Sequence, residues 1–358
     1  MNTRLIFDAH LDLSLNALTY NRNLRLPNAE IRAAETGLCD LGGRGNSTVA
    51  FPEMRRAGIG LCVATQLAGC MKPAGAGGGW NSPEQAWAMS QGQLAWYRTM
   101  EDAGELRAIS DTTALHTQLR QWQADPAQTP IGYILSLEGA DSLRDLADLQ
   151  RAYDYGLRAL GPAHYGTGRY ALGHDRDGPL TPQGRALLME MQRLGIILDA
   201  THLCEQTFWD ALECFEGPVW ASHHNCRALV DDPRQLSDAQ IRALAQRGAV
   251  IGIAFDIWMG VPNWQRGTSN HENYPNANLS ALADHVDHVC QLLGTVQHTG
   301  IGTDLDGGYG TEQSPCDLDS IADLDKFIDI LARRGYSGDD LDKICHGNFV
   351  QFLERAWG

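Results

Sequence analysis

One stretch constrains the fold more than any other. It runs from Ile196 to Arg234 and reads IILDATHLCEQTFWDALECFEGPVWASHHNCRALVDDPR. It holds two apolar runs, residues 196–200 and 218–221, and each leads into a histidine, His202 and His223. Residues 205–215 between them have helical composition. The order is strand, helix, strand. Parallel strands joined by a helical crossover place their C-terminal ends on one side of a sheet. His202 and His223 are therefore expected to meet in space, as two ligands of a metal would.

The same unit recurs along the chain. Apolar runs at 5–9, 59–67, 131–137, 157–163, 196–200, 218–221, 249–255 and 299–303 read as eight strands, with helical segments in most of the intervals. Ser82-Pro83 and Thr181-Pro182 open two of those helices as cap and first residue, and Gly195 stops the second. Ser237 with Gln240 reads as a capping box. Asp141 is the cap expected for the helix over 143–155. Eight strands alternating with helices define an α/β fold, the (β/α)8 TIM barrel. The 358 residues suit a single barrel, which spans roughly 200 to over 400 residues with insertions. The expectation is one domain over 1–358, with mouth loops near 14–48, 68–81, 165–180 and 257–280.

Active sites of this fold lie at the C-terminal ends of the strands. The polar residues at those ends are His10 with Asp12, Gln66, Glu138, His164, His202, His223, Asp256 and Asp304. His, Asp and Glu recur there too consistently for chance. In His10-Leu11-Asp12 the two-residue period points both ligand-type side chains to one face. Glu138 ends a buried strand, where a carboxylate is costly unless paired or metal-bound. Two other features carry less. The glycine-rich segment 68–81 lacks the GK[ST] of a phosphate cradle. His285 and His288 sit three apart on a helix with Asp284 and Asp287, which reads more plainly as a polar helix surface.

Charge and cysteine content narrow the function. The net charge of −16 argues against nucleic acid or an anionic membrane as partner, since both need a basic face. The nine cysteines are scattered and form no CxxC pair, so free thiols in a reducing compartment are expected. No signal peptide, long apolar span or hydrophobic C-terminal tail is seen in the sequence. A cytoplasmic location follows as the expectation.

Three or more imidazoles with three carboxylates exceed the needs of one catalytic zinc, which takes three protein ligands. Two metals about 3.5–4 Å apart, bridged by Glu138 and a hydroxide, would use the surplus. Each would lower the pKa of the shared water and could polarise a carbonyl. Asp304 is the carboxylate left to carry a proton to a leaving amine. The reaction class is metal-assisted hydrolysis of an amide.

The motifs FDAHLDL (7–13), SLEGAD (136–141), LRALGPAH (157–164), LTPQGRALLMEMQRLGIILDATHL (180–203), ASHHNCRALVDDPRQLSD (221–238) and GIGTDLDGG (300–308) cover nearly the whole chain. In this order they resemble the membrane (renal) dipeptidase family of the amidohydrolase superfamily, in its soluble bacterial form. The resemblance implies a binuclear zinc dipeptidase. His10 and Asp12 would bind the first zinc, His202 and His223 the second, with Glu138 bridging. His164 would contact the scissile carbonyl or the oxyanion. Arg234 would hold the substrate's C-terminal carboxylate, which a bidentate guanidinium fits. Asp304 would be the general acid/base, and Asp306 structural. Tolerance of a D-residue at the C-terminal position and a homodimer are further family expectations.

The chain departs from the family pattern at His224, Tyr165 and Asp256, all expected at the mouth. Asp256 is read as a substrate-binding acid favouring a cationic side chain. The alternative activity is hydrolysis of another amide, a β-lactam or an N-acyl amino acid. A deaminase is disfavoured, because the first strand offers His-x-Asp where deaminases usually show His-x-His. A silent binding barrel is disfavoured because every proposed ligand and the acid are present.

Overall fold

The structure, a computed structural model, describes residues 4–70 and 79–358. Most of the glycine-rich segment at 68–81 lies outside the described residues. Among the described residues nine strands form one parallel sheet: β1 (Ile6–Leu11), β2 (Ile59–Leu67), β3 (Leu106–Ala108), β4 (Ile131–Glu138), β5 (Leu157–Gly161), β6 (Ile197–Asp199), β7 (Val219–Trp220), β8 (Ile251–Ile253) and β9 (Thr299–Ile301). The order is β7-β6-β5-β4-β2-β1-β9-β8. A bridge between Ala221 and Ile251 joins the two ends and closes the barrel. All eight expected strands are present. The ninth, β3, was not anticipated. Its three residues pair with Ile131, Gly132 and Tyr133 at the start of β4, below the stretch that β5 takes. A three-residue strand is too short to show a period in sequence.

The two-residue period of the strands divides the core. Phe7, Leu61, Val63, Ile134, Ala159, Ile197 and Trp220 point into the barrel. Their neighbours, such as Cys62, Ala64, Tyr133, Leu135 and Leu198, pack against the surrounding helices. The helix Asn348–Trp357 plugs the barrel from below, with Phe349 stacked 5.0 Å from Phe7 and edge-on to Trp220 at 5.9 Å. The bottom is therefore dry and apolar, which leaves the opposite end for polar chemistry.

The caps largely follow the sequence. Thr181 accepts from Gly184 N, Gly195 takes φ 72°, and Ser237 with Gln240 forms the capping box. Asp141 does not cap the following helix. That helix is Leu146–Asp154 and Asp145 caps it. Asp141 instead accepts from the backbone N–H groups of Arg169 at 2.8 Å and Cys70 at 3.3 Å. The first mouth excursion holds two short helices, Leu13–Leu18 and Asn28–Ala34. It is fixed by Asp306, which accepts from Thr48 N (2.7 Å), Thr48 Oγ1 (2.7 Å) and Val49 N (3.0 Å) and faces Arg22 at 3.2 Å. Asp306 is structural. His285 is buried, with Nδ1 3.0 Å from Cys226 N, and His288 meets Asp238 at 2.7 Å. Both serve packing between elements. Among the described residues, no helix is long and apolar enough to cross a membrane.

Candidate active site

The mouth of the barrel gathers the strand-end residues. In β1 the register against β2 slips between Asp8 and Leu11, so three steps on β1 oppose two on β2. A bulge of this kind re-aims side chains. Phe7 faces the barrel interior, while Leu11 joins the outer core. The extra residue turns His10 and Asp12 inward. Glu138 needs no such device, because it stands on the same face as Ile134.

Glu138 is the centre of the cluster. Its Oε1 lies 3.1 Å from His202 Nε2 and 3.4 Å from His223 Nε2, while Oε2 lies 3.6 Å from His10 Nε2. One carboxylate thus presents each oxygen to a different set of imidazoles. His10 Nε2 also lies 3.8 Å from Asp12 Oδ2 and 3.8 Å from Asp304 Oδ1. Three overlapping groups could hold a cation: His10, Asp12 and Glu138; Glu138, His164 and His202; His10, His223 and Asp304.

The donor set fits a metal on its own chemistry. His10 Nε2 is buried and has no hydrogen-bond partner, a costly arrangement unless something else satisfies it. His202 and His223 face each other with Nε2 atoms 3.1 Å apart. Metal ligation through both Nε2 atoms would put the protons on Nδ1. There His202 meets His174 Nδ1 at 3.2 Å and His223 meets Ser222 Oγ at 2.9 Å. Partners of this kind fix the tautomer of metal-bound histidines. Burial pushes the pKa of His202 and of His223 well below the usual histidine range, which keeps the rings neutral and fit to bind a metal.

Charge is distributed unevenly around this cluster. Burial would raise the pKa of Glu138, but the charges of His10 and His164 outweigh it and hold it at about 2. Asp304 goes the other way. Burial, with Asp12 and Glu138 nearby, keeps its carboxyl well above the usual range against the pull of His10. Two carboxyls in one site, one held ionised and one inclined to keep a proton, is an acid–base arrangement. Burial lowers the pKa of His164 against the pull of Glu138.

Backbone strain marks the same residues. His202 and Asp304 have φ of 67° and 57°, the left-handed region that non-glycine residues rarely occupy. Such outliers concentrate at functional sites.

Arg234 is almost wholly buried. Its Nη2 donates to His223 O at 2.9 Å, and Nη1 lies 3.2 Å from His224 Nδ1. Among the described residues it makes no ion pair within 4.0 Å. A buried guanidinium without a counter-ion is expensive, and a carboxylate entering the mouth would supply one. Asp256 is buried too. Trp258 Nε1 donates to its Oδ2 at 2.6 Å and Gln313 Nε2 to its Oδ1 at 2.8 Å. Both oxygens expected to meet a cationic substrate already have donors. Gln66 turns away from the cluster and bonds to Ser90 O.

Several positioning residues were not singled out in the sequence. Asp8 accepts from Thr303 N at 2.9 Å, Thr303 Oγ1 at 2.6 Å and His10 N at 3.1 Å, tying β1 to the end of β9. Asp199 accepts from Thr201 N at 3.1 Å and Ser222 N at 3.0 Å, tying β6 to β7. Each stands just before a histidine of the cluster, in Asp8-Ala9-His10 and Asp199-Ala200-Thr201-His202. An acid inside an apolar run was the available signal. Gly252 and Gly302 make room for Ser222, since a Cβ at either would lie within 2.0 Å of its carbonyl oxygen.

The fold is a closed (β/α)8 barrel with a carboxylate-centred histidine cluster at its C-terminal mouth. The chain belongs to the membrane dipeptidase family, peptidase family M19, whose profile matches residues 1–356. It is 30% identical to dipeptidase tcpJ of Claviceps purpurea over 236 residues, 63% of this chain and 52% of that protein. The chain thus spans about half the length of that relative. Among solved structures it is similar to the M19 metallopeptidase dipeptidase AC, at 25% identity and TM-score 0.78, covering 99% of both chains. It shares its fold with a metallopeptidase of Rhodobacter sphaeroides bound to a phosphinate mimic of L-Ala-D-Ala. There the identity is 23%, the TM-score 0.79 and the coverage 99% and 100%. The protein is a hydrolase of the metallodipeptidase family.

Proposed function

We propose that this protein hydrolyses dipeptides with two zinc ions held across Glu138, one by His10 and Asp12 and one by His202 and His223. The observation that carries this reading is the division of Glu138, one oxygen toward His202 and His223 and the other toward His10. Zinc bound there would supply a water of lowered pKa and Lewis-acid polarisation of the scissile carbonyl.

The chain's own residues do the rest. Arg234 binds the substrate's terminal carboxylate and sets the depth at which the peptide bond sits. His164 donates a hydrogen bond to the carbonyl oxygen as it gains charge. Asp304 takes a proton at its carboxylate and returns it to the leaving amine. The barrel bottom, sealed by Phe349, Phe7 and Trp220, keeps water entry to the mouth. The dipeptide mimic seen in the Rhodobacter sphaeroides relative supports extending the reading to a D-residue at the C-terminal position. Cys39, Cys62, Cys204, Cys214, Cys226, Cys290, Cys316 and Cys345 are free in the structure, which fits a reducing, cytoplasmic setting.

The test is metal analysis of the purified protein paired with turnover of L-Xaa-L-Xaa and L-Xaa-D-Xaa dipeptides. About two zinc ions per chain with hydrolysis are expected, and Glu138→Ala should lose both. One metal per chain, or two without turnover of any dipeptide, would overturn the reading.

A further inference from the structure

The geometry points to a substrate class: dipeptides that carry an acidic side chain, held at the rim by Arg266. This rests on the dipeptidase reading above.

Arg266 lies in the second long mouth loop. Its guanidinium sits 4.0 Å above the ring of Trp258 and 5.5 Å from that of Tyr165, and Nη2 donates to Tyr165 Oη at 2.6 Å. Both supports are fixed from behind. The Trp258 indole N–H is held by Asp256, which Gln313 holds in turn. Tyr165 packs edge-on against His164 with centroids 4.7 Å apart, and against His174 at 4.6 Å. His164 packs on His202 at 4.6 Å. Arg266 is thus held one aromatic ring away from the proposed oxyanion contact. A planar cation stacked on a tryptophan gives up little freedom on binding a carboxylate.

The charge on Arg266 is not spent within the protein. Among the described residues it makes no ion pair within 4.0 Å. Asp256, bonded to the Trp258 indole beneath it, has a donor on each oxygen. Arg266 also acts electrostatically on Asp304, so its field reaches the reacting end of the mouth. Arg234 and Arg266 together offer two guanidiniums without counter-ions. One is buried and suits the main-chain carboxylate common to all dipeptides. The other is exposed at the rim, where a longer or shorter side chain can reach it. A dipeptide containing aspartate or glutamate has the two carboxylates to match. The sign is opposite to that expected from Asp256 in the sequence.

The experiment compares kcat/KM of the zinc-loaded enzyme on Ala-Ala with its Asp- and Glu-containing counterparts at each position, in both C-terminal configurations. The wild type should favour an acidic side chain by about tenfold or more, the range of a charge-assisted bidentate contact at an open rim. Arg266→Met retains bulk over Trp258 and should collapse that ratio, chiefly through KM on the acidic substrates. Arg266→Glu should turn the preference toward lysine-containing dipeptides, an inversion that loss of structure could not produce. Equal or better turnover of Ala-Ala by the wild type, or a ratio unmoved in both variants, would overturn the assignment while leaving the dipeptidase reading intact. No turnover of any dipeptide would overturn both.

Discussion

At the floor of the site, Glu138, His10, His202 and His223 stand on strand ends, buried, with Asp8, Asp199 and Ser222 bonded behind them. At the roof, Tyr165 and Arg266 stand on loops, Trp258 on a single 3-10 turn, and they meet through ring faces and one hydrogen bond. The floor is positioned by the barrel ladder and by carboxylates that bind two strands at once. The roof is positioned by side chains stacked on one another. The chemistry therefore sits on the rigid part, and selection among substrates on the part that can change without disturbing it.

That division can be tested. The largest effect is expected for Asp304→Asn at the floor. Loss of the proton carrier should lower kcat about 10²–10⁴-fold with zinc content retained, read by steady-state kinetics beside metal analysis. Loss of zinc in this variant would make Asp304 a ligand instead. Next comes Asp306→Ala, which removes the anchor of the first mouth excursion and leaves Arg22 short of a partner. Breaking a buried charge pair costs about 3–5 kcal/mol, and the urea midpoint should fall accordingly. A change below about 1 kcal/mol would show the excursion to be held elsewhere.

The smallest effect lies in the roof's support. Burial raises the Asp256 carboxyl to about 6 from the model-compound value of 3.8. The folded state thus holds this proton more tightly than the unfolded chain. The associated stability is complete below about pH 4 and lost as pH rises through 6, a fall of up to about 3 kcal/mol. Asp8 titrates over the same range, so the difference between wild type and Asp256→Asn isolates one group. Unfolding free energy followed from pH 4 to 6 should fall less in the variant. Parallel curves would place the shift elsewhere.

The floor was legible in the sequence because its signals are local and repeated. An apolar run followed at once by His, Asp or Glu can be read at β1, β4, β6 and β7 without a structure. The barrel followed from counting those runs. What stayed hidden depends on contacts that no spacing records. The β1 bulge that turns His10 inward is set by pairing with β2. His174 meets His202 from 28 positions away, out of a polar loop with no period. Asp256 was legible as an acid at the mouth, but the indole and amide that occupy it are not written beside it. Arg266 reads in the sequence as one charge in a polar loop. Its role depends on Trp258 beneath it and Tyr165 across the mouth.

The left-handed backbone at His202 and Asp304 has a consequence for descent. Glycine adopts that conformation freely, while other residues give up about 1–2 kcal/mol there. At these two positions the enzyme is less stable than a glycine variant of the same fold could be. Only continued use of the imidazole and the carboxyl keeps it so. In a lineage that no longer needed the reaction, a change to glycine at either position would relax the backbone as it silenced the site.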